Sequence, residues 1–352
     1  MKRILFILSI VLSSVTAVAQ GINFEDLTLD QAIAKAKAEN KLVFIDSYTD
    51  WCAPCKMMVK DVFPMKEMGD YFNPKFISIK SNAEKGEDGP AVRAKFGIKA
   101  YPTFVILDGD GNLIHMFAGG VLGLAFIDKV KESFNPDKAF GNLQKRYNSG
   151  ERDKKLVANY IQALMGTYTT DVTKMIDEFT ASLSEKELIC DECLFIFDDL
   201  ARLESPRGKF LIENIEKFRN VIGREKIDNV VKKKFSAYYG GVLGKQRALN
   251  AAEIEQTNKQ LAPLNLKNAE ILPLYQAALS SMLSKQGGDE MMKLIKSTAP
   301  KVEKNEMLIF FYFTIPAISE LWSKEQIDEL LAMVDSDDIR TRIVKSLERV
   351  KK

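Results

Sequence analysis

Two cysteines separated by two residues are the part of this sequence best suited to chemistry. Cys52 and Cys55 stand in the segment Trp51-Cys52-Ala53-Pro54-Cys55. Side chains at this spacing can close a small disulfide ring or open to a dithiol, so the pair can carry two electrons. The nucleophile in disulfide exchange is the thiolate, and its formation depends on the surroundings of the sulphur. The elements on either side therefore decide what the pair can do.

The pair is predicted to lie at a turn between a strand and a helix. The apolar run Leu42–Ile45 predicts a buried strand, and Lys56–Val59 predicts the beginning of a helix. Unpaired N–H groups and the helix dipole would favour the thiolate of Cys52. We therefore expect Cys52, nearer to solvent, to attack a disulfide and the more buried Cys55 to resolve the mixed disulfide. Pro54 would stiffen the loop without loss of a helical hydrogen bond.

The first 19 residues form a separate segment. Lys2 and Arg3 precede the apolar stretch Ile4–Leu12, and Ala17-Val18-Ala19 fits an A-x-A cleavage site. This pattern predicts a secretory signal peptide cleaved after Ala19, too short for a lasting transmembrane helix. No cysteine follows the apolar stretch until position 52, which disfavours a lipid anchor. We expect a periplasmic or secreted protein with no stable membrane anchor.

The composition is that of an ordinary globular protein. The chain has 352 residues, of which 46% are hydrophobic and 28% are charged. This length is enough for two domains with separate cores. Without Lys2 and Arg3, the 50 basic residues fall to 48, equal to the 48 acidic ones. There is no basic excess, and no nucleic-acid partner is expected.

Strands and helices alternate around the cysteine pair. Thr28 and Gln31 form a capping box that begins a helix, and Phe76–Lys80 alternates as a half-buried strand. Pro102 belongs at the beginning of the strand Phe104–Leu107, where an X–Pro bond can be cis. These elements predict a mixed α/β domain.

A hairpin and a helix complete this part of the chain. The turn Asp108–Asn112 joins the preceding strand to Leu113–Phe117, and a helix is predicted from about Leu122 to Phe134. His115, the only histidine, lies on the second hairpin strand. Alternation places it on the solvent face, with a catalytic role as the alternative.

The order of these elements resembles the thioredoxin family over residues 22–135. The motifs that carry the resemblance are the W-C-A-P-C segment at 51–55, the tripeptide 101–103 and the F-x-G-G segment at 117–120. It implies an α/β thioredoxin-like fold, a central mixed sheet flanked by helices, in which Pro102 is cis and faces the redox pair. It also implies a surface for extended substrates, formed by Trp51, Pro54, Tyr101, Pro102 and Gly119.

Asp46 is a second candidate for chemistry. It lies in the apolar strand beside Phe44 and Ile45, so its carboxyl group has to be hydrogen-bonded or protonated. A raised pKa would suit proton transfer to a thiol, whereas a carboxylate that caps a turn is the alternative. In the thioredoxin family a buried carboxylate six residues before the first cysteine assists proton transfer, often with a lysine on the next strand. The resemblance assigns these roles to Asp46 and Lys80.

The resemblance implies a thiol–disulfide oxidoreductase that works on protein disulfides, and we expect it to act in the reducing direction. A disulfide oxidase or isomerase of the same fold, or a partner-binding module with a regulatory redox pair, are the alternatives. The family commonly has Gly-Pro between the cysteines, where this chain has Ala53-Pro54. No metal or organic cofactor is implied. The expected partners are protein thiols or disulfides and an upstream redox protein.

The pattern changes beyond Pro136. Amphipathic segments follow one another, such as Lys186–Leu203, with breaks such as Gly240-Gly241. We expect a thioredoxin-like domain at 20–138 and an α-helical domain at 139–352, a bundle or irregular solenoid that could bind a protein partner. The aromatic run 310–313 is expected in the core, with a partner groove as the alternative.

Cys190 and Cys193 form a second C-x-x-C pair. Ser184 and Glu187 resemble a capping box, which predicts that both cysteines lie within a helix. The pair could consist of inert thiols, form a local disulfide, or relay electrons to Cys55 or a partner. A zinc site is disfavoured because the chain has one histidine.

Overall fold

The computed structural model describes residues 21–198, 202–286 and 288–350. The chain forms two compact units, one up to Ser182 and the other from Leu183. The signal peptide predicted at 1–19 lies outside the described residues. No helix in the described ranges is long and apolar enough to cross a membrane.

The first unit is built on a mixed sheet of five strands in the order β1-β3-β2-β4-β5. The strands are β1 Phe24–Glu25, β2 Leu42–Tyr48, β3 Phe76–Asn82, β4 Thr103–Leu107 and β5 Leu113–Ala118. Strand β2 pairs in parallel with β3 and antiparallel with β4. The strand that leads to the cysteines is therefore the centre of the sheet, as the thioredoxin-like fold predicts.

The first unit also contains helices. They are α1 Leu29–Glu39, α2 Ala53–Met57, α3 Lys66–Phe72, α4 Gly89–Lys95, α5 Ala125–Lys131, α6 Phe140–Asn148, α7 Lys154–Met165 and α8 Thr173–Ala181. The capping box of Thr28 and Gln31 is confirmed at the beginning of α1, and Asn40 ends the helix in the left-handed conformation. The predicted hairpin β4–β5 is also confirmed.

Aromatic side chains form the core beneath the redox loop. Phe44 of β2 is fully buried, with ring centroids 4.9 Å from Phe72 and 5.8 Å from Phe104. Phe126 of α5 lies 4.8 Å from Phe104. Burial of each such side chain contributes about 1.5–3 kcal/mol. This packing fixes β2, and with it the direction from which the chain enters the redox loop.

The first unit extends beyond the boundary predicted at residue 138. The N–H of Phe140 in α6 donates to Nδ1 of His115 at 3.1 Å, and the N–H of Ala118 donates to the Gly166 carbonyl at 2.8 Å. A Cβ at Gly141 would lie 1.9 Å from the Leu113 carbonyl oxygen. Helices α6 and α7 therefore pack directly on β5 and belong to the unit of the sheet.

The second unit is helical, and the described residues after β5 contain no strand. Its helices are α9 Glu185–Leu188, α10 Leu194–Asp198, α11 Pro206–Glu213, α12 Ile215–Ile222, α13 Arg224–Leu243, α14 Ala251–Leu261, α15 Ile271–Ser284, α16 Asp289–Thr298, α17 Lys304–Ile318, α18 Lys324–Ala332 and α19 Asp337–Val350. The prediction of an all-α part is confirmed.

Two details of the helical prediction are wrong. The segment Lys186–Leu203 is not one helix, because Cys190 is extended and separates α9 from a 3-10 turn at Asp191–Cys193. Gly240-Gly241 does not break α13. A Cβ at Gly240 would lie 3.3 Å from the Phe313 ring, so glycine serves close packing there. In the aromatic run, Phe310 and Phe311 are buried as predicted, but the prediction is wrong for Tyr312, which is 40% exposed.

Candidate active site

A disulfide joins Cys52 and Cys55, with their Cα atoms 5.3 Å apart. Cys52 is the N-cap residue of α2, and the N–H of Cys55 donates to its Sγ at 3.1 Å. The predicted turn between strand and helix is confirmed. The predicted difference in exposure is wrong, because Cys52 is 2% exposed and Cys55 is 3% exposed. Their asymmetry lies in position, since Cys52 caps the helix and Cys55 lies within it.

The helix after the disulfide changes its hydrogen bonding. A π-helical turn, Met58–Val62, follows α2, and the N–H of Phe63 donates to the Met58 carbonyl at 2.9 Å. Pi-helical turns are rare and are often found at functional sites. A Cβ at Gly120 would lie 3.4 Å from Cβ of Pro54. The glycine segment after β5 therefore lies directly against the redox helix.

The Tyr101–Pro102 peptide bond is cis, as predicted. It precedes Thr103, which pairs with Ser47 at the end of β2. The N–H of Gly119, at φ +99°, donates to the Pro102 carbonyl at 2.8 Å. Sheet pairing therefore brings the proline segment and Gly119 together, next to the strand that enters the redox loop.

Trp51 connects the redox loop to the proline segment. Its ring is 66% exposed and lies edge-on to Tyr101, with ring centroids 5.9 Å apart. Its Nε1–H donates to the carboxylate of Glu84 at 3.1 Å. Glu84 was not predicted from the sequence, because it lies 33 residues away in the loop after β3 and belongs to no motif. It fixes the orientation of an exposed indole beside the disulfide.

Asp46 is 2% exposed, and its Oδ1 has no hydrogen-bond partner among the described residues. Burial raises the pKa of its carboxyl group to about 7, and the positive charge of Lys80 acts in the opposite direction. Asp46 and Lys80 are register partners on β2 and β3. The ammonium group of the exposed Lys80 lies 4.7 Å from the centroid of the Phe24 ring. The strand thus holds a carboxyl group that can exchange a proton near neutral pH.

His115 does not lie on the solvent face, which corrects the prediction. It is 3% exposed because α6 covers β5. Its Nδ1 accepts the Phe140 N–H, and its Nε2 lies 4.0 Å from the Glu132 carboxylate. Burial and the positive charge of Lys129 lower the pKa of His115 to about 4. Strand alternation could not reveal this burial, because the covering helix comes later in the chain.

Cys190 and Cys193 belong to the second unit and do not lie together within one helix as predicted. The capping box of Ser184 and Glu187 is confirmed, but α9 ends at Leu188. Cys190 is half-buried, whereas Cys193 is buried with its Sγ 3.9 Å from the Glu187 carbonyl oxygen. The electron relay stays a prediction. Within the described ranges, no three His, Cys, Asp or Glu side chains are grouped to hold a metal ion.

The five-strand sheet, the C-x-x-C disulfide at a helix N-cap and the cis-proline segment define a thioredoxin-like domain. A family model described as a thioredoxin-like domain matches residues 29–132. Thioredoxin 1 of Chlorobaculum tepidum is 32% identical over 94 residues, which are 27% of this chain and 83% of that protein. The chain belongs to the thioredoxin-like family of thiol–disulfide oxidoreductases.

Other relatives are matched over a smaller share of their length. Thioredoxin-T of Drosophila melanogaster is 34% identical over 91 residues, which are 26% of this chain and 52% of that protein. The chain spans about half the length of this relative and of several others. The solution structure of a candidate disulphide-isomerase from Bacteroides thetaiotaomicron has 38% identity and a TM-score of 0.31, and it covers 34% of this chain and 98% of its own.

Proposed function

We propose that this protein is an exported thiol–disulfide oxidoreductase that reduces disulfides of other proteins. The observation that carries the proposal is the Cys52–Cys55 disulfide at the N-cap of α2. A disulfide that only closed a loop would not need the exposed Trp51 or the cis-Pro102 segment beside it. The relatives of this domain are thioredoxins, which favours the reducing direction.

The reaction consists of two exchanges of sulphur partners. The Cys52 thiolate attacks one sulphur of a substrate disulfide, so that a Cys52–substrate bond forms and one substrate thiolate leaves. The Cys55 thiolate then attacks Sγ of Cys52, and the second substrate thiolate leaves as the Cys52–Cys55 bond forms. The substrate gains two electrons and the protein loses two. A dithiol protein that reduces Cys52–Cys55 would return the electrons.

Asp46 would accept the proton of the Cys55 thiol in the second exchange. A pKa of about 7 leaves a useful fraction of the carboxyl group ionised at neutral pH. Its buried Oδ1, without a hydrogen-bond partner among the described residues, is available for this task. No described N–H group donates to the carboxyl group of Asp46, so the alternative of a turn cap lacks its hydrogen bond. Lys80 would stabilise the ionised form from the neighbouring strand.

An extended substrate would dock beside Tyr101 and Pro102. Exposed apolar side chains lie on the loops that meet the redox helix, with Trp51 66% and Leu122 63% exposed. Such side chains at the edge of a site favour a protein substrate over a small thiol. Gly119 leaves the backbone free of a side chain where the substrate would approach.

Export and the partners rest on separate observations. The basic start, apolar stretch and A-x-A site within residues 1–19 support cleavage after Ala19 and a periplasmic or secreted location. In the helical unit, Ile309 and Tyr312 are exposed on one face of α17 and would suit a protein partner.

The reduction potential of Cys52–Cys55 tests the direction of electron flow. We expect a value near about −270 mV in glutathione buffers, followed by Trp51 fluorescence in a Cys190→Ala/Cys193→Ala background. A value near about −120 mV would instead make the protein an oxidant. Failure to equilibrate with glutathione would leave a binding module with an inert disulfide.

A pair of matched variants tests the assignment of the two cysteines. Cys55→Ser should accumulate a mixed disulfide between Cys52 and its substrate, because the resolving thiol is missing. Cys52→Ser is the control and should accumulate none. Gel separation without reductant, followed by mass spectrometry, measures both. Equal trapping by the two variants would refute the order of attack.

A further inference from the structure

A cavity of about 370 Å³ lies within the first unit, beside His115 and apart from Cys52 and Cys55. Strand β5 forms one wall, through His115, Met116 and Phe117, and α7 contributes others such as Ala163. Cavities of this size are within the range of sites for small molecules. Apolar and charged side chains meet there.

His115 provides a hydrogen-bond donor in the wall of this cavity. Its Nδ1 accepts the Phe140 N–H at 3.1 Å, so the neutral ring carries its proton on Nε2. That Nε2 is buried and has no hydrogen-bond partner among the residues described. Glu132 lies nearest, at 4.0 Å, which is too long for a hydrogen bond. A buried donor of this kind is unfavourable unless another group accepts its hydrogen bond.

The charges around the cavity favour an anion. Lys129 lies 3.4 Å from Glu132, and Lys155 lies 2.6 Å from Asp137, so these charges balance in pairs. Lys138 also lines the cavity and forms no ion pair with a described residue. The side chains that line the cavity therefore carry one more positive than negative charge.

We propose that this cavity binds a small organic anion. Its acidic group contacts Lys138 and accepts the Nε2–H of His115, and its apolar part lies against Phe117 and Ala163. The partly exposed Glu132 side chain turns away from His115 as the anion enters. This site involves neither cysteine of the redox pair. A negative result for anion binding would therefore leave the proposed function untouched, and the reverse also holds.

The single histidine makes a direct test possible. In protein labelled with ¹⁵N-histidine, the imidazole signals belong to His115 alone. We expect the Nε2–H signal to shift saturably as 2-naphthoate is added. Inorganic phosphate, an anion without an apolar part, and 2-naphthamide, its uncharged analogue, should each bind more weakly than 2-naphthoate.

Two variants should change the affinity for 2-naphthoate in opposite directions. Lys138→Gln removes the excess charge and should weaken binding about two- to five-fold, whereas Glu132→Gln removes a repelling carboxylate and should strengthen it similarly. Lys145→Gln, an exposed lysine of α6 outside the cavity, is the control and should leave binding unchanged.

The proposal would be overturned by any of three results. The first is the absence of a saturable shift of the His115 signals at millimolar 2-naphthoate. The amide or phosphate could bind as tightly as 2-naphthoate, which would remove the need for an organic anion. Equal affinities of wild type, Lys138→Gln and Glu132→Gln would show that neither charged side chain takes part in binding.

Discussion

Replacement of Asp46 by asparagine should stabilise the first unit, although it alters the proposed active site. The pKa of this carboxyl group is about 3.9 in an unfolded chain and about 7 in the folded protein. Each unit of difference corresponds to about 1.4 kcal/mol, so ionised Asp46 lowers the free energy of unfolding by about 4 kcal/mol at alkaline pH. Asparagine has nearly the same shape and never ionises.

The sign of the effect follows from the raised pKa. The folded protein binds the Asp46 proton more tightly than the unfolded chain does, so this group stabilises the fold fully below about pH 3.9. That contribution disappears as the pH rises through about 7. About 3 kcal/mol of this loss in the free energy of unfolding should occur between pH 5 and pH 8.5. The advantage of Asp46→Asn over wild type should grow by this amount across the same interval.

Urea unfolding of the oxidised protein measures this advantage. The chain has two tryptophans, and a Trp322→Phe background leaves Trp51 as the reporter of the first unit. This choice matters because two units need not unfold in one transition. Asp61→Asn is the matched control, since Asp61 is exposed on the π-helical turn after the redox site. Its effect on the free energy of unfolding should be small.

The reasoning is refuted if Asp46→Asn has the same effect at pH 5 and pH 8.5. Such a result would mean that the carboxyl group titrates near its ordinary pKa despite its burial. Equal behaviour of Asp46→Asn and Asp61→Asn would lead to the same conclusion. A stabilised variant with slower disulfide exchange would instead link the buried carboxyl group to the chemistry.

Three further perturbations test the surroundings of the site. Lys80→Met should raise the pKa of Asp46 further, because a neighbouring positive charge is lost. Carboxyl ¹³C NMR measures this pKa, and an unchanged value would contradict the prediction. His115 should stay neutral down to about pH 4 in an NMR titration. Its lowered pKa stabilises the fold above pH 6.5, and the free energy of unfolding should fall by about 3 kcal/mol as the pH falls towards 4. Titration of His115 near pH 6.5 would refute its burial. Gly141→Ala should destabilise the first unit by about 3 kcal/mol in the urea assay, because its Cβ would lie 1.9 Å from the Leu113 carbonyl oxygen. Unchanged stability would contradict the packing of α6 on β5.

The parts of the site that could be predicted from the sequence are those set by local rules. An apolar β-branched run predicted β2, and the helix predicted after it placed Cys52 beside a helix N-terminus. Proline before a strand predicted that the Tyr101–Pro102 bond could be cis. Each of these signals lies within a few residues of the feature it describes.

The parts that could not be predicted depend on segments distant in the chain. The exposure of Cys52 depends on its packing in the folded domain, and that of His115 depends on α6, which begins 25 residues later. Glu84 reaches Trp51 across 33 residues. Within the second unit, a capping box at Ser184 predicted a long helix, but a local start signal does not determine where a helix ends.

The burial of Asp46 also argues for a chemical role over a structural one. No described N–H group donates a hydrogen bond to this carboxyl group, and its ionisation at neutral pH opposes folding. An apolar or amide side chain in β2 would avoid this energetic disadvantage. A group that destabilises the strand leading to a disulfide, and titrates near pH 7, has the properties required to move protons during thiol exchange. The proton of Cys55 needs an acceptor when that thiol becomes the nucleophile, and Asp46 is the group we propose for it.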